Sequence, residues 1–191
     1  MAHLLSPGLP INCSMARGRG QALEPELSVR QHQLKGGEFV VLKQLHNTDV
    51  DKWIKERHYL KSTPAGAVIR LEFLNDSGER IGAMMWGRPI SPKVDQKHTL
   101  ELTRMYFVDE TEHCVESKAL GMARKYIRKH YPEIKGLIAY SSTGQQHEGT
   151  IYQADGWFLV SKSDSPNGSW ENRAGRKNRD LSVKLKFARS P

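Results

Sequence analysis

Glu148-Gly149-Thr150-Ile151-Tyr152-Gln153-Ala154-Asp155-Gly156-Trp157 is the stretch on which the reading of this chain turns. It comes shortly after an apolar run, 135–142, that reads as a strand, and that run follows a helix stopped by Pro132. Within the stretch the order is Tyr-x-x-x-Gly-Trp. Tyr152 carries a phenol of pKa ~10 and is a candidate proton donor. The competing use is a core tyrosine packed under a strand.

Working outward, the helix before this stretch is the clearest element. Val115, Ala119, Leu120, Ala123, Tyr126 and Ile127 make one apolar stripe, and Lys118, Lys125, Arg128 and Lys129 cover much of the remainder. Before it, residues 99–108 read as a central strand. Before that, 67–74 and 80–86 read as a hairpin turned at Asn75-Asp76-Ser77-Gly78. Residues 38–45 predict a first strand. A helix then starts near Asn47 or Thr48, with Asp49 and Asp51 in its first turn and Trp53 and Ile54 facing the core. After Trp157 come a strand over 157–161, a basic loop with Arg173, Arg176, Lys177 and Arg179, and an alternating last strand over 181–187. That last strand could pair across a dimer or lie within the sheet. Residues 1–36 carry Pro7, Gly8, Pro10, Gly18, Gly20 and Pro25 without apolar periodicity, and read as a flexible arm on a single domain, 37–191. Met15 is an alternative start.

Composition bounds the function. The chain has 191 residues, enough for one domain with a real core. Its mean hydropathy is -0.61, and no apolar run approaches the ~20 residues a membrane helix needs. Leu4 and Leu5 are followed at once by Ser6, Pro7 and Gly8, which is no signal-peptide core. Two cysteines, Cys13 and Cys114, make no disulfide framework, so both are expected reduced in a cytoplasm. The formal net charge is +8, and eight basic against three acidic residues fall between Trp157 and Pro191. Solubility alone could account for such an excess, but its clustering favours a nucleic-acid partner, with Lys125, Arg128, Lys129, Arg176, Lys177 and Arg179 as phosphate contacts. The eight histidines have no metal-ligand spacing, which leaves only a non-local metal site, with His58 or His147, open.

The element order β-α-β-β-β-α-β-α-β-β resembles the GNAT-like N-acyltransferase fold, an α/β architecture with a central mixed, twisted sheet flanked by helices. That resemblance implies acetyl-CoA or a related acyl-CoA donor. Its pyrophosphate would lie at the N-terminus of the helix after the central strand, where backbone N–H groups are free. The family's Gln/Arg-x-x-Gly-x-Gly/Ala loop is degenerate here, reading Glu116-Ser117-Lys118-Ala119-Leu120-Gly121. Met105, Phe107, Ser117, Lys118, Ala119 and Gly121 are the donor-site candidates, and an ordinary amphipathic helix is the competing reading.

A narrower resemblance rests on six segments in order. They are His58-Tyr59, Gly82-Ala83-Met84-Met85-Trp86-Gly87-Arg88-Pro89, Leu100-Glu101-Leu102-Thr103-Arg104-Met105, the 116–121 segment, Ala139-Tyr140-Ser141, and Gly149-Thr150-Ile151-Tyr152-Gln153-Ala154-x-Gly156-Trp157. Together they are similar to the Mom family of phage DNA-modification proteins. The resemblance implies conversion of adenine in double-stranded DNA to N6-(carbamoylmethyl)adenine, which protects phage DNA from restriction in the host bacterial cytoplasm. It also implies roles for His58, Tyr59, Arg104 and Tyr152. Family members often have an acidic residue after the Tyr-Ser pair, where this chain has Ser142. A generic amine acetyltransferase is the alternative. From the residues alone, Arg104 in an otherwise uncharged strand segment needs a carboxylate, a phosphate or a base edge as partner, and a structural salt bridge with Glu101 or Glu72 is the competing use. His58 could equally cap its helix. Tyr59, Trp86 or Tyr140 could stack on an extruded base.

Overall fold

The computed structural model describes residues 30–33, 39–45, 48–111, 113–145, 148–163 and 182–191. The elements are β1 (Arg30–Gln33), β2 (Phe39–Leu45), α1 (Asp49–Arg57), β3 (Ala67–Leu74), β4 (Arg80–Gly87), β5 (Thr99–Phe107), α2 (Val115–His130), β6 (Gly136–Ser142), α3 (Thr150–Ala154), β7 (Phe158–Lys162) and β8 (Lys184–Arg189). Every predicted helix and strand is present, with ends moved by at most three residues. β1 is additional and lies within the segment read as an arm. The strands form one sheet in the order β1-β2-β3-β4-β5-β6-β8-β7. All neighbours are antiparallel except β5 and β6, which are parallel and joined by α2 as a crossover. Of the described helices, none is long and apolar enough to cross a membrane.

Alternation along the strands divides the core between the two faces. On the back face, Leu42, Ile69, Leu71, Phe73, Met84, Trp86, Leu100, Leu102, Leu137, Ala139 and Phe187 pack under the apolar stripe of α2 and under Tyr152 of α3. On the front, Val50 and Ile54 of α1 pack on Ala83 and Met85. Trp53 is only half-buried; its ring meets Tyr106 edge-on at 5.5 Å and lies beneath the guanidiniums of Arg57 and Arg80. α1 is bound to the sheet by Arg70, whose two donors reach the Asp51 carboxylate at 2.6 and 2.8 Å.

Of the two readings of the last strand, the structure has the second: β8 lies within the sheet, between β6 and β7, its ladder to β7 broken by a bulge between Leu159 and Ser161. The edge is β7.

Gly149 opens α3 with φ +80, and a Cβ there would overlap the Phe187 ring. Gly149→Ala is expected to cost about 2–4 kcal/mol, left-handed strain plus overpacking, read as a lower Tm in thermal denaturation. An unchanged Tm would contradict this packing.

Candidate functional site

A cleft opens where the parallel pairing stops. β5 and β6 pair only from Thr99↔Gly136 to Leu102↔Ala139. Beyond that point β5 stays on β4 through Phe107, and β6 stays on β8 through Ser142. The two strands diverge, leaving their facing backbone donors and acceptors available to a ligand.

A bulge shapes one wall of this cleft. Met85 faces Arg104 but Trp86 faces Leu102, so Thr103 is the extra residue, and its hydroxyl donates to the Met85 carbonyl at 3.0 Å. Without the bulge, residues three apart would point to opposite faces. With it, Glu101 and Arg104 share the front face with Tyr106.

Arg104 makes no salt bridge among the described residues. Its Nε and Nη2 donate to the Ser62 carbonyl and hydroxyl at 2.8 and 3.2 Å, and Nη1 donates to the Thr103 carbonyl at 2.6 Å. Glu72 belongs instead to Arg80, at 2.8 Å. Burial pushes the guanidinium pKa down, while Tyr59 and Glu101 oppose that shift. The Ser62 bonds tie the loop after α1 to β5 and bring His58 and Tyr59 to the cleft. Their rings stack 4.5 Å apart. His58 Nδ1 accepts the Leu60 N–H at 3.2 Å, so the ring caps its own turn, and the proton of a neutral ring lies on Nε2.

Glu101 is the residue that sequence reasoning missed as a functional group. It is 4% exposed. One carboxylate oxygen accepts the Ile90 N–H at 2.9 Å, and the other accepts no hydrogen bond from the described residues. Burial raises its pKa, while the Ile90 N–H, Lys186 and Arg104 pull it back. A desolvated carboxylate with a free oxygen beside an arginine has the character of a general base. Tyr140, next to it on β6, is also pushed up, by burial and by the Glu101 charge.

Tyr152 closes the cleft from the back. It is 6% exposed, stacked on Phe187 at 5.1 Å and edge-on to Trp157 at 5.6 Å. Burial first, then Tyr59, raises its pKa far above that of a free phenol. Its hydroxyl has no hydrogen-bond partner among the described residues. Beneath it, Asp155 accepts from Arg124 at 2.7 and 2.8 Å and from the Trp157 indole at 2.9 Å, which fixes the turn after α3.

The remaining candidates divide between the site and the scaffold. Ser142 is buried and accepts from the Lys184 ammonium at 3.0 Å, an environment unlike that of a proton acceptor. Ser117 donates to the Cys114 carbonyl at 3.0 Å, inside the first turn of α2. That turn has no side-chain cap, so its N–H groups are open to an anion, with Lys118 alongside and Glu116 opposing. The side chains of Phe107 and Ala119 are buried in the core, and Met105 packs against it. A Cβ on Gly121 would lie 3.3 Å from Asp155, so that glycine makes room for the Arg124–Asp155 pair. Lys125 and Lys129 are on α2, across the sheet from Glu101 and Arg104, and Arg128 donates to the Pro191 carbonyl at 2.8 Å. Arg176, Lys177, Arg179 and His147 lie outside the described residues. Among the described residues, no group of three or more His, Cys, Asp and Glu could hold a metal ion.

Comparison with solved structures defines the class. The fold matches the acetyltransferase of the GNAT family from Streptococcus pneumoniae at TM-score 0.54 and 10% identity, covering 79% of this chain and 98% of that one. It also matches the spermidine N-acetyltransferase from Vibrio cholerae, in complex with CoA and spermine, at TM-score 0.56 and 9% identity, covering 79% and 95%. The fold is therefore GNAT-like. Within that class, the chain belongs to the Mom protein family, whose model matches residues 39–189. It is 23% identical over 129 residues to the methylcarbamoylase mom of Escherichia phage Mu, covering 61% of this chain and 53% of the phage protein. The chain thus spans about half the length of the curated relative it matches.

Proposed function

We propose that this chain is a DNA adenine modification enzyme that transfers a carbon group to N6 of adenine, giving N6-(carbamoylmethyl)adenine in phage DNA. The observation that carries this reading is Glu101 beside Arg104 and Tyr59, at the mouth of a β5–β6 cleft whose back wall is Tyr152. Family membership and the similarity to a methylcarbamoylase support it.

Each residue then has a role. Glu101 takes a proton from the exocyclic amine, whose lone pair is delocalised into the ring and needs such help. Arg104, fixed by Ser62, offers a cation where the substrate phosphate or developing negative charge lies. Tyr152, buried and held protonated, donates its proton at the opposite wall. Tyr59 and Tyr140 flank the opening, where an extruded base stacks. An acyl-CoA-type donor fits the open first turn of α2 and the unpaired edges of β5 and β6, with Ser117, Lys118 and the backbone of 103–107 as its contacts. Attack of N6 on such a donor's thioester carbonyl would expel the thiolate, which would take the Tyr152 proton, and would leave an N6-acyl group. The carbamoylmethyl product needs instead an N6–CH2 bond and an amide nitrogen, which a nitrogen-bearing co-substrate would supply.

Plasmid DNA propagated in bacteria expressing the wild-type chain is expected to resist endonucleases whose sites contain adenine, and to be cut by those whose sites lack it. Tyr152→Phe restores full cutting. Equal cutting of all plasmids, with folded protein present, would overturn the proposal.

A further inference from the structure

The described residues cover the front face of the sheet only in part. α1 packs on β3, β4 and β5, and no described helix lies over β6, β8 and β7 on that side. Register places Ile138, Ala188 and Phe158 in one row, and Tyr140, Lys186 and Ser161 in the next. Tyr140 is 38% exposed and Phe158 74%. They are two strands apart, ~10 Å across the sheet. Lys186 stands between them in the next strand and forms no salt bridge with any described residue. Glu101 pairs with Ile138 and so begins the first row at the cleft.

Resting on the DNA-modification reading above, we propose that this face of β6, β8 and β7 receives the DNA strand that carries the target adenine. An exposed tyrosine and an exposed phenylalanine with one lysine between them on a sheet face suit a partner with both π-faces and phosphates: rings stack on unpaired bases and the ammonium neutralises the backbone. Tyr140 takes the extruded base beside Glu101, Phe158 stacks on or wedges against a neighbouring base, and Lys186 meets the phosphate between them. Charge complementarity selects this occupant, since the chain is +8 overall. Lys125 and Lys129 of α2 lie across the sheet from Glu101, so DNA held there could not deliver a base to Glu101.

The test is fluorescence anisotropy of the full chain with a labelled duplex carrying one mismatched adenine, titrated at several salt concentrations. Phe158→Ala is expected to weaken binding by about 5- to 100-fold. Lys186→Glu is expected to weaken it at least tenfold and to lower the salt slope by about one. The pair Lys125→Gln and Lys129→Gln on α2 is expected to weaken binding less than either front-face variant. Wild-type affinity in both front-face variants, with binding lost in the α2 variants, would overturn the placement while leaving the modification reading intact. Wild-type chain that neither binds nor modifies DNA would overturn both. A dimer by light scattering that Phe158→Ala dissociates, without change in DNA affinity, would assign the face to a second copy and also overturn the placement.

Discussion

Glu101→Gln is expected to slow adenine modification by about 10²–10⁴-fold, the range for loss of a positioned general base, with fold and DNA affinity preserved. Glutamine fills the same volume, and its carbonyl can still accept the Ile90 N–H. What it loses is the oxygen that takes the proton. The wild-type pH profile carries the same information. The base works as the carboxylate, and burial raises its pKa. Activity should therefore fall as pH drops through a value above the ordinary carboxylate range, and Glu101→Asp should keep such a limb. Single-turnover rates on duplex DNA across weakly acidic to neutral pH supply the check. A glutamine variant at wild-type rate, with the same acid limb, would remove Glu101 from the chemistry.

Asp155→Ala should have the largest effect on stability. Asp155 and Arg124 have side chains only 9% and 10% exposed, joined by two short hydrogen bonds. Truncating the aspartate leaves a guanidinium and the Trp157 indole N–H buried without their acceptor. Breaking a buried pair from one side costs about 3–5 kcal/mol, or about 6–20 °C in Tm for a domain of this size. The turn after Tyr152 loosens as well, so modification should fall more than stability alone accounts for at a temperature where the variant is folded. Differential scanning calorimetry and Trp157 fluorescence report the two effects. A Tm within about 2 °C of wild type would show that the pair is not the anchor described.

The scaffold was legible because its elements obey single periods. The α2 stripe repeats at helical spacing and stops at Pro132, and β3 with β4 flank an Asn-Asp-Ser-Gly turn. Tyr152 and Gly156 stood out because the order Tyr-x-x-x-Gly-Trp follows a helix and a strand, as the resemblance to the GNAT-like fold requires. The pairing order was not legible. β7 and β8 carry similar signals, and nothing local says which is interior. β1, Arg-Gln-His-Gln, has no apolar residue to announce a strand. Glu101 was hidden by its setting, because Leu-Glu-Leu reads as a strand with the glutamate on a solvent face. Strict alternation also sends Glu101 and Arg104 to opposite faces. Only the bulge at Thr103 brings them together, and an extra residue leaves no mark in a strand that already mixes polar and apolar positions.

The most direct measurement is mass spectrometry of nucleosides from plasmid DNA of cells expressing the full chain, beside Glu101→Gln and Tyr152→Phe. The account predicts an adenine nucleoside of carbamoylmethyl mass in the wild type, and its loss or near-loss in both variants. Unmodified adenine from cells containing folded wild-type protein, or the same product at equal level in all three, would contradict it.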